Sequence, residues 1–332
     1  MLASVPACSE PLPPIRYETQ KALIGTDFDD PVCPHQLEAI DRQIRFVEDM
    51  LDAPSDEKLE IYVFAEGPND CAGFGCFYHE QGIIKTTWPA IDHEVVHAVE
   101  ARFTQAPRVF WSEGIAEALE TSGTHEGWST VLENVSEQDR HQLDYGTAGH
   151  FVRWLLETRD PRLIKPVLEG QDVASVYGES VEELGEDYEA QHPYAYPPWA
   201  PCDYPALASP EEGHWTEELL ISCEHPEGTA GENYRYSVVR SVELPAGRYS
   251  LQTFGGSGTR MVGCQMDIWA ETPTPMVHGD LPNQVENSQT AVGLLFPSGE
   301  THELELNEGT YKVVVATEAE SEAVTVDLRL RG

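Results

Sequence analysis

The sequence predicts two domains in tandem, an α+β domain followed by an all-β sandwich of jelly-roll type. Three observations carry this. At roughly 100–200 residues per domain, 332 residues suggest two units. Between Pro34 and about residue 190, apolar residues recur mostly at helical spacing. Beyond the Pro-rich stretch His192–Pro201, helical patterns stop and short alternating segments with Gly and Pro turns take over.

Residues 1–32, Pro-rich and irregular, are expected to form an N-terminal arm. In the first domain, 33–190, Leu37, Ile40, Ile44, Phe46, Val47 and Leu51 mark a helix from Pro34 to Leu51. Two short strands follow, Leu59–Ala65 and Gly82–Thr87, with a Cys71–Cys76 loop between them. Trp88-Pro89 opens a helix running to about Phe103, and a second spans Ser112 to Gly123. In Thr147–Thr158, Ala148, Phe151, Val152 and Leu155 share one stripe, and the helix stops before Pro161. Ser180-Val-Glu-Glu183 reads as a capping box for the last helix. Residues 191–213 read as a linker.

In 214–332, eight short strands are expected: Leu219–Cys223, Tyr234–Leu244, Arg248–Phe254, Cys264–Trp269, Ala291–Phe296, Glu303–Leu306, Tyr311–Ala316 and Ala323–Leu330. Glu243-Leu-Pro-Ala-Gly-Arg-Tyr249 echoes Glu305-Leu-Asn-Glu-Gly-Thr-Tyr311, which suggests a sandwich built of similar hairpins.

Asp plus Glu number 58 against 20 Lys plus Arg, a formal charge of −38. Such a surface repels phosphate backbones and anionic lipid, which argues against nucleic acid as a partner and against membrane-surface binding. Seven cysteines favour disulfides and an oxidising compartment, so an extracellular or cell-envelope location is expected. The start loosely resembles the end of a bacterial lipoprotein signal, with Val5 and Ala7 before Cys8, but lacks its basic and apolar regions. A lipid anchor at Cys8 and a chance match both stay open. The remaining six cysteines leave their connectivity open, with Cys71 and Cys76 read as structural bonds that stiffen the strand-bearing region.

The informative stretch is His93-Glu94-Val95-Val96-His97. Four residues make about one helical turn, so both imidazoles project from one face and can grip one metal ion. Ile91, Val95, Val96, Ala98, Val99 and Phe103 fall on the opposite arc, so the helix can bury that arc and turn both histidines and Glu94 to a cleft. A third ligand is offered sixteen residues after His97 by Glu113, in Trp111-Ser-Glu-Gly-Ile-Ala-Glu117. If Ser112 caps that helix, Glu113 lies in its first turn and Glu117 one turn on, able to accept the free N–H of a ligand histidine.

His93-Glu-x-x-His97 with Trp111-x-Glu113-Gly-x-Ala-Glu117 resembles the gluzincin zinc metallopeptidases, and among them the bacterial peptidase MA-like family. Tyr145-Gly-Thr-Ala-Gly-His-Phe-Val and Tyr177-Gly-Glu-Ser-Val-Glu-Glu-Leu184 resemble further segments of that family. The resemblance implies an α+β metallopeptidase domain with a strand-containing upper lobe and a helical lower lobe. It implies one Zn2+ held by His93, His97 and Glu113, with Glu94 taking a proton from the zinc-held water. Peptide or protein substrate would lie along Gly82–Thr87 by β-augmentation. Tyr145 is the chosen oxyanion donor, with His150 as the alternative. His79, His125 and His141 read as surface residues.

The expected activity is therefore that of a secreted or envelope-anchored zinc endopeptidase. Two readings stand beside it. One is a non-catalytic zinc-containing binding or adhesion protein with a relic peptidase domain. The other is an aminopeptidase, disfavoured because Gln81-Gly-Ile-Ile-Lys-Thr-Thr87 replaces the Gly-x-Met-Glu-Asn strand of those relatives. The sandwich is the expected binding part, for glycan, cell wall or protein.

Overall fold

A computed structural model describes residues 11–29, 31–71, 73–120, 124–125, 127–136, 139–192, 195–196, 204–224, 229–230, 236–263, 295–306, 308–319 and 321–331. Cys8, Cys202, Cys264, the strand expected at Cys264–Trp269 and residues 197–203 of the expected linker lie outside them. The architecture is mixed α+β followed by a two-sheet sandwich, and each part has its own core. One core runs from Ala22 to Tyr196 and the other from Leu207 to Leu328.

The stretch read as an irregular arm contains two strands, β1 (Ile15–Glu18) and β2 (Ala22–Thr26). β2 pairs in parallel with β3 (Leu59–Val63), which pairs in parallel with β5 (Ile83–Thr86). β1 and β4 (Gly75–Tyr78) close the two edges antiparallel, giving the order β1-β2-β3-β5-β4. Buried Ala22 and Ile24 show that the stretch 15–26 is no irregular arm, for β2 contributes to the first core. β5 is likewise paired on both sides, so Gly82–Thr87 cannot accept a further strand; the open edge beside it belongs to β4.

α1 (Pro34–Met50) opens on Pro34 and buries Ile40, Ile44 and Val47. A 3-10 turn at Trp88–Ala90 leads into α2 (Ile91–Glu100), and α3 (Val109–Leu119) packs against it. The N-cap of α3 is Arg108, so Ser112 lies inside the helix and Glu113 in its second turn. α4 (Val131–Val135) precedes α5 (Tyr145–Thr158), which Asp144 caps through Thr147 N–H. α6 (Ile164–Leu168), α7 (Val173–Tyr177) and α8 (Val181–Gln191) complete the lower part, and the Ser180/Glu183 capping box is present. Gly114 lets α3 and α5 touch, since a Cβ there would stand 2.8 Å from the Ala148 carbonyl oxygen. The short pair β6 (Thr124–His125) and β7 (Ala195–Tyr196) carries buried Tyr196 into the first core, so the expected linker begins inside that domain.

The sandwich is a folded ribbon. β8 (His214–Ser222) pairs with β16 (Ser321–Arg331), and β10 (Tyr236–Leu244) with β15 (Gly309–Thr317). β11 (Gly247–Phe254) pairs with β14 (Thr301–Leu306), and β12 (Gly258–Gly263) with β13 (Leu295–Pro297). This antiparallel ribbon wraps into the sheets β8-β16-β11-β14 and β13-β12-β15-β10, the latter extended by β9 (Thr229–Ala230). That is jelly-roll connectivity.

The two echoed segments are arches crossing between the sheets, not hairpins within one. They pair with each other reciprocally: Leu244 opposes Gly309, and Gly247 opposes Leu306. Buried Tyr249 and Tyr311 sit at equivalent positions, and Tyr249 donates its hydroxyl to the Pro245 carbonyl.

Among the described residues, α1 lies against β9, and two further contacts tie the domains together. A disulfide connects Cys33, at the start of α1, to Cys223, just beyond β8. Tyr204 lies between Arg42 of α1 and Lys312 of β15, their charges 4.5 and 5.2 Å from its ring centre. A second disulfide, Cys71–Cys76, closes the loop before β4. Among the described residues, no helix is long and apolar enough to cross a membrane.

Candidate metal centre

α2 buries Ile91, Val95, Val96, Ala98 and Val99, and this fixes its rotation so that Glu94 and both histidines face α3 and β4. His93 Nε2 and His97 Nε2 stand 3.2 Å apart, and each lies 3.2 Å from Glu113 Oε2. In a tetrahedral zinc site with bonds of ~2.0–2.1 Å, neighbouring ligand atoms are ~3.3–3.4 Å apart. The triangle thus matches one face of such a tetrahedron. Two ring nitrogens this close share at most one proton between them, and the carboxylate adds negative charge. A divalent cation satisfies all three at once, so these residues fit a metal ion.

The electrostatics agree. Burial pushes Glu113 up, but both imidazoles and Arg140 hold it well below the usual carboxylate range. Burial would lower His93, yet Glu113, Glu120 and Glu117 raise it well above an ordinary histidine. His97, also opposed by burial, is pushed up to about 9 by Glu100 and Glu113.

With the Nε2 atoms turned to the triangle, the Nδ1 atoms carry the ring protons. His93 Nδ1 faces Glu120 Oε2 at 3.4 Å and Glu117 Oε1 at 3.5 Å. Glu117 therefore stands where the sequence placed it, but shares the task with Glu120. Burial and the Glu120 charge raise the pKa of Glu117. His97 Nδ1 lies 3.3 Å from Ser112 Oγ, which donates to Glu100 Oε2 at 2.6 Å. Such contacts fix the tautomer and ring orientation of ligand histidines.

Glu94 is buried but makes no part of the triangle. Burial raises its pKa. It packs against Gly75 on edge strand β4, where a Cβ would come within 2.8 Å of Glu94 Cγ and 2.7 Å of Thr86 Oγ1. Only glycine lets the strand pass so near the carboxylate.

Tyr145 opens α5 with its ring centre 6.4 Å from that of His93. Burial and the Glu113 charge push its hydroxyl up to about 12, so it stays a donor at neutral pH. His150 is fully buried elsewhere: its Nδ1 bonds Tyr188 Oη at 2.9 Å, and its ring packs on Tyr196 and His192. It belongs to the packed interior around Tyr188 and Tyr196 and is no part of the triangle. His79 and His141 are exposed, as expected.

Three residues around the triangle, Glu100, Glu120 and Arg140, carried no sequence signal, and Ser112, expected as a helix cap, lies inside α3 beside His97. Arg140 Nε lies 2.9 Å from Glu113 Oε1, off the line of a directed hydrogen bond, so the pairing is Coulombic. No protein-family model matches the chain, and no curated protein is significantly similar to it.

Proposed function

We propose that the chain is a zinc-dependent endopeptidase of gluzincin type. The observation that supports this is the 3.2 Å triangle of His93, His97 and Glu113 atoms with buried Glu94 beside it. A zinc ion held there would lower the pKa of a water towards ~7 and polarise a scissile carbonyl. Glu94 accepts the attacking water's proton and passes it to the leaving amine. The protonated Tyr145 hydroxyl donates to the developing oxyanion. An extended peptide adds to the open edge of β4, the strand that touches Glu94 through Gly75. The disulfides fit a secreted or envelope location.

The test combines elemental analysis with cleavage of a peptide library. About one zinc per chain is expected, with cleavage abolished by 1,10-phenanthroline. Glu94→Gln should keep its zinc while turnover falls about 10²–10⁴-fold. Wild-type turnover in that variant would remove Glu94 from the mechanism. One zinc without cleavage of any peptide would point to the non-catalytic reading.

A further inference from the structure

We propose that Arg140 is a positioning residue that keeps Glu113 a one-oxygen ligand, and so leaves room at the metal centre for the reacting water. The inference rests on the zinc reading above. A carboxylate has two oxygens and can offer either one or both to a metal. Glu113 is a buried side chain whose Oε2 completes the triangle with the two histidines. Its Oε1 lies 2.9 Å from Arg140 Nε. Were both oxygens to swing onto the ion, they would take space that a catalytic site keeps open. The guanidinium gives Oε1 a reason to stay where it is.

The backbone around Arg140 is held, although its side chain is half-exposed. Asn134, in α4, bonds both the N–H and the carbonyl of Asp144, the residue that caps α5. Asp139 accepts from Gln142 and Leu143 through its carbonyl and from the His141 N–H through its side chain, and Leu143 is buried. The described residues 139–144 thus present Arg140 from a hydrogen-bonded base at the start of α5. Its charge also bears on Glu94 and Tyr145.

A packing role does not explain the placement, because a half-exposed side chain leaves no cavity when removed. Tight metal binding does not explain it either. A fixed positive charge beside a ligand repels the cation that the ligand is there to hold. The position favours an open coordination shell over affinity.

The test compares zinc-loaded wild type with Arg140→Gln and Arg140→Lys. Crystal structures of the zinc forms should show Glu113 Oε1 beyond bonding distance in wild type. In Arg140→Gln both oxygens should lie at about 2.0–2.2 Å from the ion. By chelator competition, zinc affinity of Arg140→Gln should equal or exceed that of wild type, whereas loss of a structural residue would lower it. Its kcat should fall about 10- to 100-fold with KM little changed, and Arg140→Lys should recover part of that loss.

One-oxygen ligation in Arg140→Gln together with wild-type kcat overturns the proposal. A wild type that takes up no zinc sinks both this inference and the peptidase reading. A wild type that binds zinc but cleaves nothing sinks the peptidase reading alone, and the Glu113 geometry then decides for Arg140.

Discussion

The two domains treat buried charge in opposite ways. The first buries His35, Asp41, Glu48, Lys85, Glu94, His97, Glu100, Glu113, Asp144, His150 and Arg153. Among the described residues of the sandwich, the buried polar groups are hydroxyl side chains and Arg240, whose guanidinium is matched by Glu217. Burying an ionisable group is costly unless it is paired. Ordinary folding accounts for some of the first domain's buried charges: Glu48 bonds Lys21 and Arg102, and Lys85 bonds Asp70 at 2.6 Å. The group around His93, His97 and Glu113 is different, because its members converge on a single point. The sandwich follows the cheaper rule throughout, with apolar residues facing inward from two sheets.

That contrast can be broken at several points. The largest effect is expected for Glu113→Ala. On the proposed zinc reading it removes one of three ligands, so zinc affinity should fall by more than about 100-fold, read by chelator competition, with cleavage lost alongside. Leu251→Ala, at a fully buried position in β11, should cost about 2–5 kcal/mol in denaturant unfolding of the sandwich. If the domains divide chemistry and packing as proposed, its zinc stoichiometry is unchanged. A fall in zinc content with the fold of the first domain intact would show that the sandwich supports the site.

Gly75→Ala sharpens the comparison from the other side. The added methyl collides with Glu94 and Thr86, so turnover should fall by up to about 10²-fold with zinc retained. Unaltered kcat would mean that the Glu94 carboxylate is not held by β4.

The smallest effect expected is at Asp144. Burial would raise its pKa, but bonds from Thr147, Ser129 and Trp128 hold it below the ordinary value. A folded-state pKa below the unfolded one contributes stability that is present above about pH 4 and lost as pH falls through the folded value. Asp144→Asn should therefore cost about 1–3 kcal/mol at pH 7, and the gap should close in acid. An equal deficit at pH 7 and in acid would assign the loss to shape and not to charge.

Much of this was legible in the residues. α1, α5 and the capping box of α8 came from helical spacing and side-chain chemistry, which act within a few residues. Seven of the eight expected sandwich strands came from period-two alternation; the eighth, Cys264–Trp269, lies outside the described residues, and β12 at Gly258–Gly263 was not anticipated. The face of α2 that carries both histidines towards Glu113 came from the angle between its apolar arc and its histidines. What stayed hidden lacked a local period. β4 has four residues, all half-buried, and β1 four mostly exposed ones, so neither shows a clean alternation. β2 hides behind a Pro-rich run, and Ser112 is as good a cap by composition as it is a histidine partner inside α3.

By itself the sequence determined which groups can meet within one turn or one strand: His93 with His97, Glu113 with Glu117, and Ser180 with Glu183. Such pairs are set by backbone periodicity, which needs no partner element. Only the tertiary structure decided that Cys33 meets Cys223, that β4 and not β5 is the open edge, and that Arg140 faces Glu113. Those meetings depend on how separate elements stack and which faces they bury, and a chain read one residue after another does not contain that distance.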